Sequence, residues 1–303
     1  MTLLWLIPLL ILLIFLFASY YFARILIYPV TRSYETTLEY AIEDGILTEK
    51  DWEALPKEEV TIRSIFGYDL YGYFLPNGSG HRTVIVSHGI TCNLINSIKY
   101  AQIFLDLGFN VLVYDHRNHG KSGGKGTTFG YYEADDLCAV IDWLEENKPN
   151  TKMIGIHGES MGAAIGLLTA ARDERVAFMV ADCGYASLSD QVSDRARVQY
   201  HLPSFPLIPM VFQWARLLNG MRVDQIAPNK AITQINAPVL IIHGENDTYI
   251  HPSHAHRLAQ ADPENPRPLW IAPDADHAES IVNNKAVYRA QVASFLREHA
   301  LIG

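Results

Sequence analysis

Beyond Lys57 the chain alternates short runs of β-branched and aromatic residues with longer stretches of helical apolar spacing. This alternation is typical of strands joined by crossover helices, which lie side by side in a mostly parallel sheet. The expected strands are EEVTIRS, DLYGYFL, TVIVSH, NVLVYD, MIGIH, FMVADC, VLIIH and LWIAP. The first two predict an opening hairpin, and the later apolar runs predict strands covered on both faces. The sequence therefore predicts one large α/β domain over residues 57–303.

The start of the chain is a different kind of segment. From Leu3 to Phe22 it carries no charge, and a helix of that length, at 1.5 Å per residue, reaches the roughly 30 Å of a bilayer's hydrocarbon core. No basic residue precedes the run, and Ala18-Ser19-Tyr20 lacks a small final residue. These features favour an uncleaved anchor over residues 1–28 rather than a cleaved signal peptide. Arg24 and Arg32 follow the span, which favours a cytoplasmic catalytic domain by the positive-inside rule.

A G-x-S-x-G motif occupies Gly158 to Gly162, directly after the expected strand MIGIH. A motif with only three fixed residues also occurs by chance, so the segments on either side of it decide its interpretation. Ser160 lies one short turn after a buried strand and at the start of a helix, as a nucleophile elbow requires. Glycines permit the sharp bend, and the helix N-terminus offers free N–H groups and a field that favours negative charge. The sequence therefore predicts that Ser160 is a nucleophile.

A serine hydroxyl needs a base to accept its proton and an acid to orient that base. Asp247 lies in the loop after VLIIH, and His277 lies in the loop before the last helix. With the serine they give the order Ser, acid, His that accompanies the elbow, and Asp182 is the alternative acid. The expected oxyanion donors are the N–H groups of Met161, directly after the serine, and of Ile90, in the loop after the third strand.

Five segments, SHGIT, YDHRNHGKSGG, HGESMG, HGENDTYIHP and DADHAES, together resemble the α/β-hydrolase superfamily. The chain is especially similar to its bacterial membrane-anchored serine hydrolases of the esterase and lipase kind, and the resemblance covers nearly everything after about Glu58. It implies a mostly parallel eight-stranded sheet flanked by helices, a short helical cap, and hydrolysis of an acyl bond through an acyl-serine. Asn118 stands where members often have glycine, and asparagine tolerates left-handed backbone better than most residues.

Two further segments lie outside the alternating pattern. Residues 29–56 predict a helical connector, for which we expect the role of a solvated spacer between membrane and domain. Residues 184–235 predict a cap insertion, as members of the family carry a cap at this place. Its apolar side chains would either line an acyl pocket or close the core over the sheet. They are Leu202, Phe205, Leu207, Ile208, Met210, Val211, Phe212 and Trp214.

Charge and composition exclude other classes of function. The formal net charge is −9 and no Lys/Arg run is present, which argues against nucleic acid as a partner. Cys92, Cys138 and Cys183 fit neither a disulfide framework nor a zinc site. The fragment G-K-S is not a phosphate loop, because Asp115 stands where that motif requires glycine. We expect no metal and no organic cofactor.

The expected function is hydrolysis of carboxylic ester or thioester bonds in small to medium acyl substrates. An amidase, a peptidase or an acyltransferase on the same fold is the alternative within this chemistry, because the motifs do not fix the leaving group. A non-catalytic binding protein is the alternative outside it, because a fold does not imply a function. The sequence leaves the oligomeric state open.

Overall fold

The structure is a computed structural model that describes residues 3–78 and 80–303. Its eight strands form one sheet in the order β1-β2-β4-β3-β5-β6-β7-β8. They are β1 (Glu58–Arg63), β2 (Asp69–Leu75), β3 (Arg82–Ser87), β4 (Asn110–Tyr114), β5 (Met153–Glu159), β6 (Val176–Asp182), β7 (Val239–Gly244) and β8 (Leu269–Ala272). β2 pairs antiparallel with β1 and β4, and all other pairs are parallel. This confirms the predicted eight-stranded, mostly parallel sheet.

Helices cover both faces of the sheet. In chain order they are α1 (Leu3–Ile27), α2 (Tyr34–Glu43), α3 (Glu49–Ala54), α4 (Ile98–Asp106), α5 (Glu133–Asn147), α6 (Met161–Ala170), α7 (Leu188–Tyr200), α8 (Leu207–Asn219), α9 (Pro228–Ala231), α10 (Ser253–Ala259), α11 (Ser280–Asn283) and α12 (Lys285–Glu298). One core layer joins the sheet to α5 and α6, and the other joins it to α4 and α12. All five residues of β4 are buried, as expected for a strand covered on both faces.

The connector after α1 packs against the domain. In α2, Thr37 and Ala41 are buried, and the hydroxyl of Tyr34 donates to the buried carboxylate of Asp115. Asn93 Nδ2 donates to Thr37 Oγ1 at 2.8 Å. The expectation of a solvated spacer is therefore wrong, because the polar groups of α2 find partners on the domain that its sequence alone does not reveal.

The N-terminal helix is joined to the insertion between β6 and β7. Leu6–Ile27 is long and apolar enough to cross a membrane, with a mean hydropathy of 2.4. Its C-terminal half packs on α8, which with α7 and α9 forms the inserted segment. Met1 and Thr2, which begin the predicted anchor, lie outside the described residues.

Candidate active site

The turn between β5 and α6 presents Ser160 in an unusual backbone conformation, with φ 55° and ψ −114°. A non-glycine residue at positive φ is strained and persists only where its surroundings enforce it. Close contacts with neighbouring backbone require glycine on both sides of the serine. A Cβ on Gly158 would lie 2.3 Å from the carbonyl oxygen of Gly162, and one on Gly162 would lie 2.0 Å from that of Ser87. The local sequence thus builds a tight turn that only glycine permits at these two positions.

The structure brings Ser160, His277 and Asp247 together. His277 Nε2 lies 3.0 Å from Ser160 Oγ, and His277 Nδ1 lies 2.7 Å from Asp247 Oδ2. These are hydrogen-bond distances, so the imidazole bridges the hydroxyl and the carboxylate. Asp182, the alternative acid, instead accepts a hydrogen bond from the Tyr100 hydroxyl at 3.1 Å.

Asp247 is buried and surrounded by donors. Its carboxylate accepts the N–H groups of Tyr249 at 2.9 Å and Ile250 at 2.8 Å, and its Oδ2 lies 3.2 Å from His243 Nε2. Burial by itself raises the pKa of Asp247, but hydrogen bonds from His243 and His277 outweigh it and hold this pKa well below its usual range. The carboxylate therefore stays ionised at neutral pH and favours the tautomer of His277 with a proton on Nδ1. His243 was not predicted as a site residue from the sequence, although it lies only four residues before Asp247.

The two predicted oxyanion donors face the same space as the serine. Ile90 and Met161 both line the cavity that contains Ser160. Among the described residues neither backbone N–H has an acceptor within the protein. A Cβ built on Gly89 would lie 3.5 Å from that of Ser160, so the loop after β3 passes close to this serine. Both N–H groups are thus available to a bound oxygen.

His88 braces this loop. Its Nδ1 donates to the carbonyl oxygen of Gly89 at 2.7 Å, and its Nε2 accepts the N–H of His116 at 3.0 Å. Burial, with a smaller contribution from His119, lowers the pKa of His88 to about 3. The ring is therefore neutral at physiological pH, with its proton on Nδ1, and ties the loop after β3 to the loop after β4.

A buried ion pair that the sequence did not predict lies next to Ser160. Lys99 Nζ lies 2.5 Å from Glu159 Oε2, and Asn96 and Tyr100 also donate to this carboxylate. Burial by itself raises the pKa of Glu159, but Lys99 outweighs it and lowers this pKa. Lys99 Nζ also donates to the carbonyl oxygen of Ala278 at 3.3 Å, directly after the histidine. The pair therefore links the strand that carries Ser160 to the loop that carries His277.

Two cavities meet at Ser160. One, of about 400 Å³, is mostly apolar and lies between α1 and the inserted segment. The other, of about 500 Å³, is more polar and contains Arg32, Lys99 and His277. Among residues 3–78 and 80–303, no group of three or more His, Cys, Asp and Glu side chains is placed to hold a metal ion. The site thus offers one apolar and one polar compartment on either side of a serine.

The predicted pocket residues of the insertion separate into two groups. Leu202, Leu207, Ile208 and Val211 line the apolar cavity. The other four do not: Phe212 and Trp214 pack toward α1, Phe205 is exposed, and Met210 is outside the lining. The pocket alternative is therefore wrong for these four, whereas Phe212 packs against the core, as the other alternative predicted. An unforeseen partner, α1, covers the side of α8 that carries Phe212 and Trp214.

Comparison with known proteins agrees with this architecture. Residues 31–205, more than half of the chain, match the family model described as X-Pro dipeptidyl-peptidase (S15 family). The uncharacterized protein YqkD of Bacillus subtilis is 39% identical over 277 residues, which cover 91% of this chain and 90% of that protein. The α/β hydrolase domain-containing protein aho-3 of Caenorhabditis elegans is 26% identical over 73% of this chain and 59% of its own length.

A solved structure extends the comparison to the arrangement of the backbone. The esterase Pf2001 of Pyrococcus furiosus superposes with a TM-score of 0.68 and 29% identity, covering 83% of this chain and 94% of that one. The sheet order, the glycine-flanked serine turn and the family match lead to one conclusion: this chain is a hydrolase that belongs to the α/β-hydrolase superfamily and, within it, to the S15 family.

Proposed function

We propose that this hydrolase cleaves carboxylic ester or thioester bonds through an acyl-serine intermediate at Ser160. The observation that carries the proposal is the continuous hydrogen-bonded series from Ser160 Oγ through His277 to Asp247, at 3.0 and 2.7 Å. In this mechanism His277 accepts the proton of Ser160 as its oxygen attacks the acyl carbon, and then gives that proton to the leaving group. Asp247 stabilises the imidazolium that forms between these steps.

The N–H groups of Ile90 and Met161 take the role of oxyanion donors. Negative charge develops on the carbonyl oxygen of the substrate when the serine adds to it. Two fixed donors that need no reorganisation stabilise this charge in the transition state more than in the ground state. Removing one such donor costs about 100- to 1,000-fold in kcat in other serine hydrolases. No organic cofactor or metal takes part in this scheme.

Acyl substrates of small to medium size fit the apolar cavity. Its volume of about 400 Å³ lies within the range of ligand sites. Among the described residues that line it there is no carboxylate, and its polar side chains include Gln191, Arg195 and Gln199. Such a lining suits a neutral acyl chain better than a free amino group. The esterase function of the similar Pyrococcus protein supports the same choice.

Peptide-bond hydrolysis is the second candidate, and the match of residues 31–205 to an X-Pro dipeptidyl-peptidase family favours it. The serine machinery would be the same for both reactions, because ester and amide substrates pass through similar tetrahedral intermediates. The leaving group alone separates the two candidates. The substrate panel below therefore contains both.

We further propose that α1 anchors the protein in a membrane, with the hydrolase domain on the cytoplasmic side. The length and hydropathy of Leu6–Ile27 support the anchor, and the positions of Arg24 and Arg32 support the orientation. Alkaline extraction of membranes tests the anchor, and sequencing of the mature N-terminus tests whether α1 is retained. Release into the soluble fraction, or a mature chain that begins after α1, would contradict the proposal.

The test of the chemistry uses the full chain in detergent. We expect a fluorophosphonate probe to label the wild type and Ser294→Ala but not Ser160→Ala, because Ser294 is exposed on α12. We expect p-nitrophenyl acyl esters to be hydrolysed and X-Pro p-nitroanilides to be cleaved more slowly. Preferred cleavage of the anilides would transfer the assignment to a peptidase. A folded wild type without labelling or turnover would instead support a non-catalytic binding role.

A further inference from the structure

The helix α1 has two halves with different surroundings. The side chains from Leu6 to Ile14 are exposed on all sides. From Phe15 onward one stripe of the helix is covered by the hydrolase domain, at Phe15, Ala18, Ser19, Phe22, Ala23, Leu26 and Ile27. These positions are three or four residues apart, which is the spacing of one helix face. The second half of α1 is therefore a packed part of the domain.

The partner of this stripe is α8. Trp214 Nε1 donates to Ser19 Oγ at 3.1 Å, and the rings of Trp214 and Tyr20 meet edge to face at 5.3 Å. Val211 is buried in the same cluster as Ala23. A hydrogen bond and close aromatic packing between these helices fix α8 to α1 as one unit.

The length of the apolar run determines how deeply this unit lies in a membrane. The uncharged run Leu3–Phe22 is needed in full to cross a hydrocarbon core of about 30 Å. Its last residues, from Phe15 to Phe22, already lie against α8. When α1 crosses the bilayer, one side of the inserted segment therefore lies at the boundary between headgroups and hydrocarbon.

The inserted segment carries exposed apolar side chains that suit such a boundary. Phe205, between α7 and α8, is 79% exposed, and Leu217 on α8 is 75% exposed. Val198 and Tyr200 at the end of α7 are exposed as well, and the Tyr200 ring contacts that of Phe22 on α1 at 5.1 Å. Several exposed apolar groups around a membrane helix indicate contact with lipid.

The apolar cavity connects this boundary to the nucleophile. One wall is formed by Phe22, Ile25 and Leu26 of α1, and the cavity extends to Ser160. An acyl chain with its carbonyl carbon at the serine oxygen would therefore run along the membrane helix. The polar cavity on the other side of the serine, which contains Arg32 and Lys99, leaves room for a hydrophilic leaving group.

We propose that the substrate is a membrane-resident amphiphile, an ester of a long acyl chain with a polar alcohol, which enters laterally from the bilayer along α1. Only the part of the chain next to the ester, which has the small to medium size that fits the cavity, lies inside it, and the far end of the chain stays in the lipid. This inference rests on the proposed esterase function and specifies its substrate class. Ser160 Oγ bonds to the acyl carbon, the bond from that carbon to the alcohol oxygen breaks, and the alcohol leaves with the serine proton carried by His277. Water then cleaves the acyl-serine, releasing the fatty acid and restoring the hydroxyl proton.

The first experiment fills the cavity from the wall that α1 forms. The full chain is reconstituted in vesicles of diether phosphatidylcholine, which contains no carboxylic ester, and assayed with 4-methylumbelliferyl oleate and 4-methylumbelliferyl acetate. For Ile25→Trp we expect kcat/KM for the oleate ester to fall by at least about tenfold, because overpacking a filled site is unfavourable. Activity on the acetate ester should fall much less, because a two-carbon acyl group fills only a small part of the cavity.

Ile14→Trp is the matched control, since Ile14 lies three turns away on the same helix, is exposed, and does not line the cavity. It should leave both activities unchanged. Equal losses on both esters for Ile25→Trp, or no loss on either, would overturn the inference. If wild type cleaves neither ester and Ser160 is not labelled, the proposed function itself fails.

The second experiment tests the route of entry. The oleate ester is placed either in the vesicles that hold the protein or in separate vesicles. Lateral entry predicts a rate at least about tenfold higher when substrate and protein share one bilayer, because a long acyl chain leaves a membrane slowly. Equal rates in both arrangements, with Ser160-dependent turnover of the acetate ester intact, would refute lateral entry while leaving the esterase assignment in place.

Discussion

The buried ion pair of Lys99 and Glu159 lies next to Ser160, and its removal tests how much it stabilises the site. Lys99 and Glu159 are only 6% and 4% exposed, with 2.5 Å between Nζ and Oε2. Removing one partner of such a pair leaves an uncompensated buried charge and costs about 3–5 kcal/mol. Lys99→Met keeps most of the side-chain volume but removes the charge. We therefore expect Tm to fall by about 6–10 °C, at about 2 °C per kcal/mol for a domain of this size.

A double-mutant cycle separates this charge effect from simple loss of packing. Glu159→Gln alone leaves the Lys99 ammonium buried without its partner, so it should also be destabilising. In Lys99→Met/Glu159→Gln both charges are gone. The new amide can accept from Asn96 and donate to the Tyr100 oxygen, while the Tyr100 hydroxyl donates to Asp182, 3.1 Å away. The double variant should therefore be more stable than either single variant.

The pH dependence has a defined sign. In the wild type the pKa of Glu159 is lowered, so its stabilising contribution is present above the unfolded pKa and is lost as the pH falls through the folded pKa. In Lys99→Met we expect the folded pKa of Glu159 to be raised instead, because the ammonium no longer opposes the effect of burial. The difference in Tm between the two proteins should therefore be largest near pH 8 and shrink below about pH 5.

The assay is thermal unfolding of the full chain in one detergent, followed by tryptophan fluorescence across this pH range. A loss for Lys99→Met that corresponds to less than about 1 kcal/mol would refute the reasoning, since that is the value of an exposed pair. Strictly additive effects in the double variant would refute it as well.

Three further predictions concern the site itself. Asp247→Asn should lower kcat by about 10,000-fold because His277 loses the partner that fixes its tautomer. Asp182→Asn, which alters a carboxylate hydrogen-bonded to Tyr100, should lower kcat far less. Ester kinetics that rank the two variants in the opposite order would contradict the assignment of Asp247 as the acid. His88→Ala should lower kcat by up to about 100-fold with little change in KM, because the oxyanion loop loses its brace, and a change in KM alone would argue against this positioning role. Gly162→Ala should abolish fluorophosphonate labelling, because its Cβ would lie 2.0 Å from the Ser87 carbonyl oxygen. Gly303→Ala, with open space around it, should be labelled like the wild type. Normal labelling of Gly162→Ala would contradict the steric requirement for glycine in this turn.

Features that depend on local patterns could be predicted from the amino-acid sequence. The alternation of apolar runs and helical spacing was sufficient to predict the eight strands, because burial on both faces leaves a continuous apolar signature. The glycine-flanked serine turn was predictable because a steric requirement within five residues is written in those residues. At Asn118 the expected tolerance of left-handed backbone is confirmed by a φ of 62°.

The contacts between distant segments could not be predicted in this way and are visible only in the folded chain. Nothing in the spacing of Lys99 and Glu159 indicates that they form a buried pair. In the same way, nothing in the sequence of the connector indicates its contacts with Asn93 and Asp115. Likewise, α1 predicted a membrane span by composition, but its packing on α8 made it a wall of the cavity at Ser160. The composition of a segment determines whether it can be buried. The segment against which it packs is determined by the complementary shape and polar groups of residues far away in the chain.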